Sequence, residues 1–159
     1  VIDALFEEGL EAIAAVAAES LAEPDAWVGV VSFLERSLEM QFGDQGLNQI
    51  MNDNALGDER IADARDRIAP LIEQLVERAR VEGAVRADLD QSDLIFIQVG
   101  LSAIMQSSRE IRPELYRRYL ALFLDGIRSD RSDLTPLPTP ALSPFDTHRA
   151  MTRDRPPGS

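Results

Sequence analysis

The chain has 159 residues, 45% of them hydrophobic, enough for one domain with a core of useful size. It contains no cysteine, which excludes disulfides and thiolate chemistry. Its net charge of −12 is uneven, with 13 acids against two arginines in residues 1–60, eleven against ten in 61–129 and four of each in 130–159. Such a surface repels phosphate, so this chain by itself is not expected to bind nucleic acid.

The opening stretch "VIDALFEEGLEAIAAVAAESLAE" places Ile2, Leu5, Phe6, Leu10, Ile13, Val16 and Ala17 close to a helical period. Pro24 and Asp25 give a break and a new start, and "AWVGVVSFLERSLEMQF" is a second helix with Gly43 as its terminator. "QGLNQIMNDNALG" supports one short helix among turn-prone residues. In "DERIADARDRIAPLIEQLVERARVEG" a single stripe runs through Ile61, Ala64, Ile68, Ile72, Leu75 and Ala79, and Asp63–Arg67 adds an ion pair one turn apart. Pro70 removes a backbone bond to Asp66 and is expected to kink this helix, which Gly83 ends. "AVRADLDQSD" links onward, with Asp90 or Ser92 as the next cap.

"LIFIQVGLSAIMQSS", Leu94 to Ser108, is too oily for a surface helix. At about 22 Å it is also too short for a hydrocarbon core of about 30 Å. Polar residues interrupt it on a step of four, at Gln98, Ser102 and Gln106. Pro113 suits the first turn of a last helix, "PELYRRYLALFLDGIRS". Residues 130–159 hold six of the nine prolines and no helical period, and read as a disordered tail in which "PLPTP" could adopt polyproline II. No strand pattern is present. The expected fold is all-α, a bundle of about six helices over residues 1–129.

Catalytic chemistry finds little to stand on. The sole histidine, His148, lies in the tail, so neither a Ser-His or Cys-His pair nor a typical zinc site can be assembled. There is no P-loop and no dinucleotide fingerprint. Glu7, Glu8 and Glu11 cluster without the Glu-x-x-His pairs of a carboxylate di-metal bundle, and "NDNALGDE" lacks calcium-loop spacing. No catalytic residue, metal or cofactor is expected, and neither a membrane span nor a signal peptide.

On a helical wheel, residues 94–108 separate into three stripes. Ile97, Leu101, Ile104 and Ser108 form one; Phe96, Val99, Gly100, Ala103 and Ser107 form a second, mostly small; Gln98, Ser102 and Gln106 form the third. The last helix is apolar over a wide arc through Tyr116, Leu120, Phe123, Leu124 and Ile127, with Leu115, Tyr119 and Leu122 beside it. Two adjacent helices with surplus apolar surface suggest a homodimer interface of Leu101, Ala103, Tyr116, Leu120, Phe123, Leu124 and Ile127. The polar stripe then either bonds across that interface or orients a ligand in a cavity. Candidate cavity residues are Phe33, Met40, Met51, Ile72, Val76, Phe96, Gln98 and Met105, a mainly apolar and adaptable set for a small apolar or amphipathic ligand. Plain core packing is the competing reading of each. Glu7, Glu8 and Glu11 lean toward a cationic ligand.

Three stretches together resemble the C-terminal effector domain of TetR/AcrR-family transcriptional regulators. "RIAPLIEQLVERARVEGAVRADLDQSD" (67–93) is similar to the family's long helix with an internal proline, a terminating glycine and an Arg-x-Asp turn. "AWVGVVSFLERSLEMQ" (26–41) resembles the helix through the middle of such domains, and "PELYRRYLALFLDGIRS" (113–129) the closing helix. The resemblance implies a dimer built as a four-helix bundle from the last two long helices. It also implies a ligand-responsive cytoplasmic regulator, a repressor, whose DNA contacts belong to an N-terminal helix-turn-helix missing from this chain. The alternative is an all-helical protein-interaction module without a small-molecule ligand.

Overall fold

A computed structural model describes residues 2–52, 59–130 and 132–151, which carry seven α-helices. These are α1 (Ile2–Leu21), α2 (Ala26–Gly43), α3 (Gln45–Asn52), α4 (Glu59–Val81), α5 (Gln91–Ser108), α6 (Tyr116–Ile127) and α7 (Pro144–Met151). The all-α expectation holds. Among the described residues the only β pairing is an isolated antiparallel bridge between Val85 and Arg128, and no helix is long and apolar enough to cross a membrane.

Local chemistry sets the helix ends. The Asp25 carboxylate accepts from the backbone N–H groups of Trp27 (2.9 Å) and Val28 (3.1 Å), satisfying donors that the first turn of α2 leaves free. Gly83 takes φ +68°, so that Gly83 N–H reaches Arg80 O (3.0 Å) and Ala84 N–H reaches Ala79 O (2.8 Å). This paired closure needs a left-handed residue, which glycine adopts without a Cβ penalty. Asp90 and Asp93 form a reciprocal capping box on α5. Pro113 opens a 3-10 turn over Pro113–Leu115 rather than α6 itself, which starts at Tyr116.

Helix α4 runs through Pro70 unbroken. Pro70 and Asp66 are both exposed, so the bond that proline cannot make is lost on the solvent side. Residues 53–58, the second half of the expected short helix, and the side chains of Met51, Ile61, Asp63 and Ala64 lie outside the described residues.

The core is assembled from stripes on five helices. Leu10, Ile13, Val16 and Ala17 of α1 meet Val30, Phe33, Leu34 and Leu38 of α2, with Ile68, Ile72, Leu75, Val76 and Ala79 of α4 beside them. Leu94, Ile97, Leu101 and Met105 of α5 and Tyr116, Leu120 and Ile127 of α6 complete it. A Cβ on Gly29 would stand 2.7 Å from the Ser20 carbonyl oxygen, so glycine is what lets α2 start against the end of α1.

One end of the bundle is tied several times over. Arg86 N–H donates to Ile127 O (2.9 Å), and the Ser129 hydroxyl donates to Gly83 O. The Arg128 guanidinium lies 4.8 Å from the centre of the Trp27 ring. Residues 132–143 form no helix, as their prolines require, whereas Pro144–Met151 form α7. The Ser143 hydroxyl caps it by accepting from Asp146 N–H (3.0 Å), and Pro144 takes the first helical position that proline favours. That start signal prevails locally over the missing period.

Candidate functional site

The step of four on α5 finds a matching step on α2. Gln98 Nε2 donates to Ser37 Oγ (2.6 Å), and Ser37 Oγ donates back to Phe33 O (2.5 Å). One turn on, the Ser102 hydroxyl donates to Gln41 Oε1; a third rung joins Asn48 Nδ2 of α3 to Gln106 Oε1 (3.3 Å). Ser37, Gln41, Asn48, Gln98 and Ser102 are all buried, so this is a hydrogen-bonded seam inside one chain. Gln41 is 1% exposed and its Nε2 has no hydrogen-bond partner. A buried amide hydrogen without an acceptor costs on the order of 1–3 kcal/mol.

The expected ligand-site residues divide. Phe33, Ile72, Val76, Gln98 and Met105 are buried in the bundle and Met40 is half-buried, whereas Met51's side chain is outside the described residues. Phe96 does not join them; it is 39% exposed on the opposite side of α5 from the seam. Val76 also borders an open groove of about 1080 Å³ with Leu21, Pro24, Glu73 and Glu77. Glu7, Glu8 and Glu11 are exposed on α1. Sequence reasoning missed Ser37, Gln41 and Asn48. The signal was present on α2, where Ser37 and Gln41 interrupt an apolar helix four residues apart.

The expected interface residues divide as well. Leu101, Tyr116, Leu120 and Ile127 are buried in their own chain's core. The physical reason is that α5 and α6 spend these side chains on each other and on the bundle beneath. Leu124 is half-buried, and Ala103 and Phe123 are exposed. Around Phe123 stand Phe96, Tyr119 and Leu122, also exposed, lining a shallow groove of about 560 Å³ with Leu89, Asp93 and Leu137. The Cβ directions of Gly100 and Gly126 open onto free space, and residues 94–108 carry no charge at all.

Arg86 sits at the rim of this groove, buried to 9% exposure. It holds Asp88 through Nε–Oδ1 (2.5 Å) and Nη2–Oδ2 (3.0 Å), and donates to Gly126 O (3.4 Å) and Thr135 O (2.7 Å). The hydrogen bond to Asp88 raises the Arg86 pKa, and the same bond holds the Asp88 carboxyl below its ordinary value. Among the described residues no three His, Cys, Asp or Glu side chains are arranged to hold a metal ion.

Comparison of the sequence with curated proteins gives no significant match. Residues 23–129 match the family model described as transcriptional regulator SbtR-like, C-terminal domain. That span begins just after α1 and runs through the seam, the capping box and the exposed α5–α6 face, closing just after the tie between Arg128 and Val85. The chain therefore belongs to the SbtR-like C-terminal domains of TetR-type transcriptional regulators.

Proposed function

We propose that this domain is the ligand-sensing and dimerising half of a cytoplasmic TetR-like repressor, with no enzymatic activity of its own. The observation that carries the sensing role is the unpartnered Gln41 Nε2 in a seam that is otherwise hydrogen-bonded. A small, mainly apolar molecule with a carbonyl or ether oxygen would meet that donor between α2, α3 and α5. Its binding energy would favour one packing of the seam, and only such a differential preference can shift a conformational equilibrium. DNA recognition would belong to a helix-turn-helix partner domain, since half-sites about one helical turn apart are read by two linked heads.

Two probes of matched shape test this. Acetophenone carries the carbonyl oxygen, and α-methylstyrene replaces it with a methylene. Acetophenone should raise the melting temperature, with about 2.7 kcal/mol expected at a hundredfold excess over its dissociation constant. Gln41→Leu should abolish its advantage over α-methylstyrene. No shift from either probe would sink the sensing role.

A second reading, an interaction module with a filled core, draws support from the burial of Phe33, Ile72, Val76 and Met105. Dimerisation is common to both readings. It is supported by the exposed apolar side chains of Phe96, Tyr119, Leu122 and Phe123, which gather around one shallow groove.

A further inference from the structure

Beyond α6 the chain meets its own body on two sides of α5. On the α6 side, Arg86 Nη2 holds the Thr135 carbonyl at 2.7 Å, and two residues later Leu137 borders the groove with Asp93, Phe96 and Ile97 of α5. On the α4 side, Pro144 and Thr147 of α7 line a small cavity of about 110 Å³ with Ala69 of α4 and Gln91, Ser92 and Ile95 of α5. At about 100° per residue, Gln91, Ser92 and Ile95 face nearly opposite to Asp93, Phe96 and Ile97. The stretch from Leu137 to Pro144 spans about 20 Å when extended, enough to cross a helix about 10 Å wide. Pro138 and Pro140 stiffen that crossing, which lowers the entropy lost in ordering it.

The α4-side anchor holds weakly. Among the described residues of α7 only Thr147 is buried, and its hydroxyl has no hydrogen-bond partner, which opposes docking. The outer side of α7 is satisfied within the helix. The Arg149 guanidinium lies 5.8 Å from the centre of the Phe145 ring and pairs with Asp146 at 3.4 Å. A contact of this kind belongs to the low-stability end of a fold, where local opening is easy.

What α7 touches leads to the seam. Gln91, Ile95, Gln98 and Ser102 share one stripe of α5, at steps of three and four. Ile95 is half-buried against the core, one turn before Gln98, whose amide donates to Ser37 Oγ. A shift of the first turn of α5 therefore bears on the first rung.

We infer that residues 135–147 are an intramolecular strap across the start of α5, clamping that helix between α4 and α6, and that its release loosens the first rung of the seam. The strap is a property of the fold and stands whether or not a ligand enters beside Gln41.

Amide hydrogen exchange on the full-length chain tests it, read at residues 95–98, whose N–H groups close the first turn of α5. Thr147→Asp puts a carboxylate into the contact, across the small cavity from Asp66, and should free α7. The amides of residues 95–98 should then exchange at least tenfold faster, while those of Val30 and Phe33 in α2 keep their rates. Leu137→Ser, exposed and at the other anchor, should accelerate the same amides. Thr147→Val removes the unmet hydroxyl and keeps the shape, so it should slow exchange severalfold in α7 and at residues 95–98.

A freed α7 with unchanged rates at residues 95–98 would make the helix a passenger and overturn the strap. Acceleration confined to Thr147→Asp would leave a plug with one anchor and overturn it too. Should Thr147→Asp unfold the whole chain, Leu137→Ser and Thr147→Val decide alone, and unchanged rates in either overturn the inference.

Discussion

Removing a rung of the seam should cost an amount set by what is left stranded. In Gln98→Leu the Ser37 hydroxyl still donates to Phe33 O, so the loss should be at most about 1 kcal/mol. In Ser102→Ala the Gln41 carbonyl oxygen loses its donor beside an amide nitrogen already unpaired, and about 1–3 kcal/mol is expected. Urea unfolding midpoints at constant m-value would separate the two; equal losses would mean the seam is wetter than its burial implies. The Arg86–Asp88 pair makes a pH prediction. Because the Asp88 carboxyl is held below its unfolded value by Arg86, its stabilisation is present above that value and is lost as pH falls through the folded one. Asp88 is substantially exposed, so the effect is modest. Wild type should be more stable than Asp88→Asn near neutral pH, and the gap should close below about pH 4. A gap that persists in acid would show that Asp88 acts through something other than its charge.

Among the helices, the glycines at two junctions serve different ends. Gly29→Ala would press a Cβ against the backbone oxygen of Ser20, which cannot rotate away, and should cost about 1–3 kcal/mol by overpacking. Gly83→Ala meets no atom, so only the left-handed backbone penalty of about 1–2 kcal/mol is at stake. Calorimetry on both variants checks the order, and a neutral Gly29→Ala would mean that α1 and α2 can separate freely. Most helix boundaries were legible in the sequence because they depend on local chemistry: Pro24–Asp25, Gly83 and Asp90 all act within a few residues, whereas α2 keeps Gly43 in the helix and is capped by Asp44. The partners in the seam were not, because Ser37 and Gln98 lie 61 positions apart and a helical wheel records only its own helix. For the same reason the wheel could not say which of two apolar faces of α5 and α6 meets the rest of the chain. Leu101, Tyr116, Leu120 and Ile127 went inward, and Phe96, Tyr119, Leu122 and Phe123 stayed out. Helix α7 was hidden by the proline count around it, although Ser143–Pro144 is a recognisable helix start.

For the molecule as a whole, the exposed face should decide the association state. Phe123 is 41% exposed, so Phe123→Arg should keep the monomer folded while dividing the dimer, with the charge repelled or unpaired once covered. Sedimentation of that variant should give a helical monomer; an aggregate or an unchanged dimer would argue against the face. Dimerisation should also strengthen with added salt, because screening weakens the repulsion between two strongly acidic subunits. The ties among Val85, Arg86, Gly83 and the last residues of α6, with Arg128 laid over Trp27, gather at one end of the bundle. Arg78 brings the end of α1 to the same place by donating to Leu21 O (2.8 Å) and Pro24 O (2.5 Å). That end is a fulcrum, and α1 is a lever arm of 20 residues, about 30 Å long, with Ile2 at its tip. A tilt of roughly 5° about the fulcrum would carry the tip through about 3 Å, so a small rotation at the tied end is read out at Ile2 as a movement of atomic size.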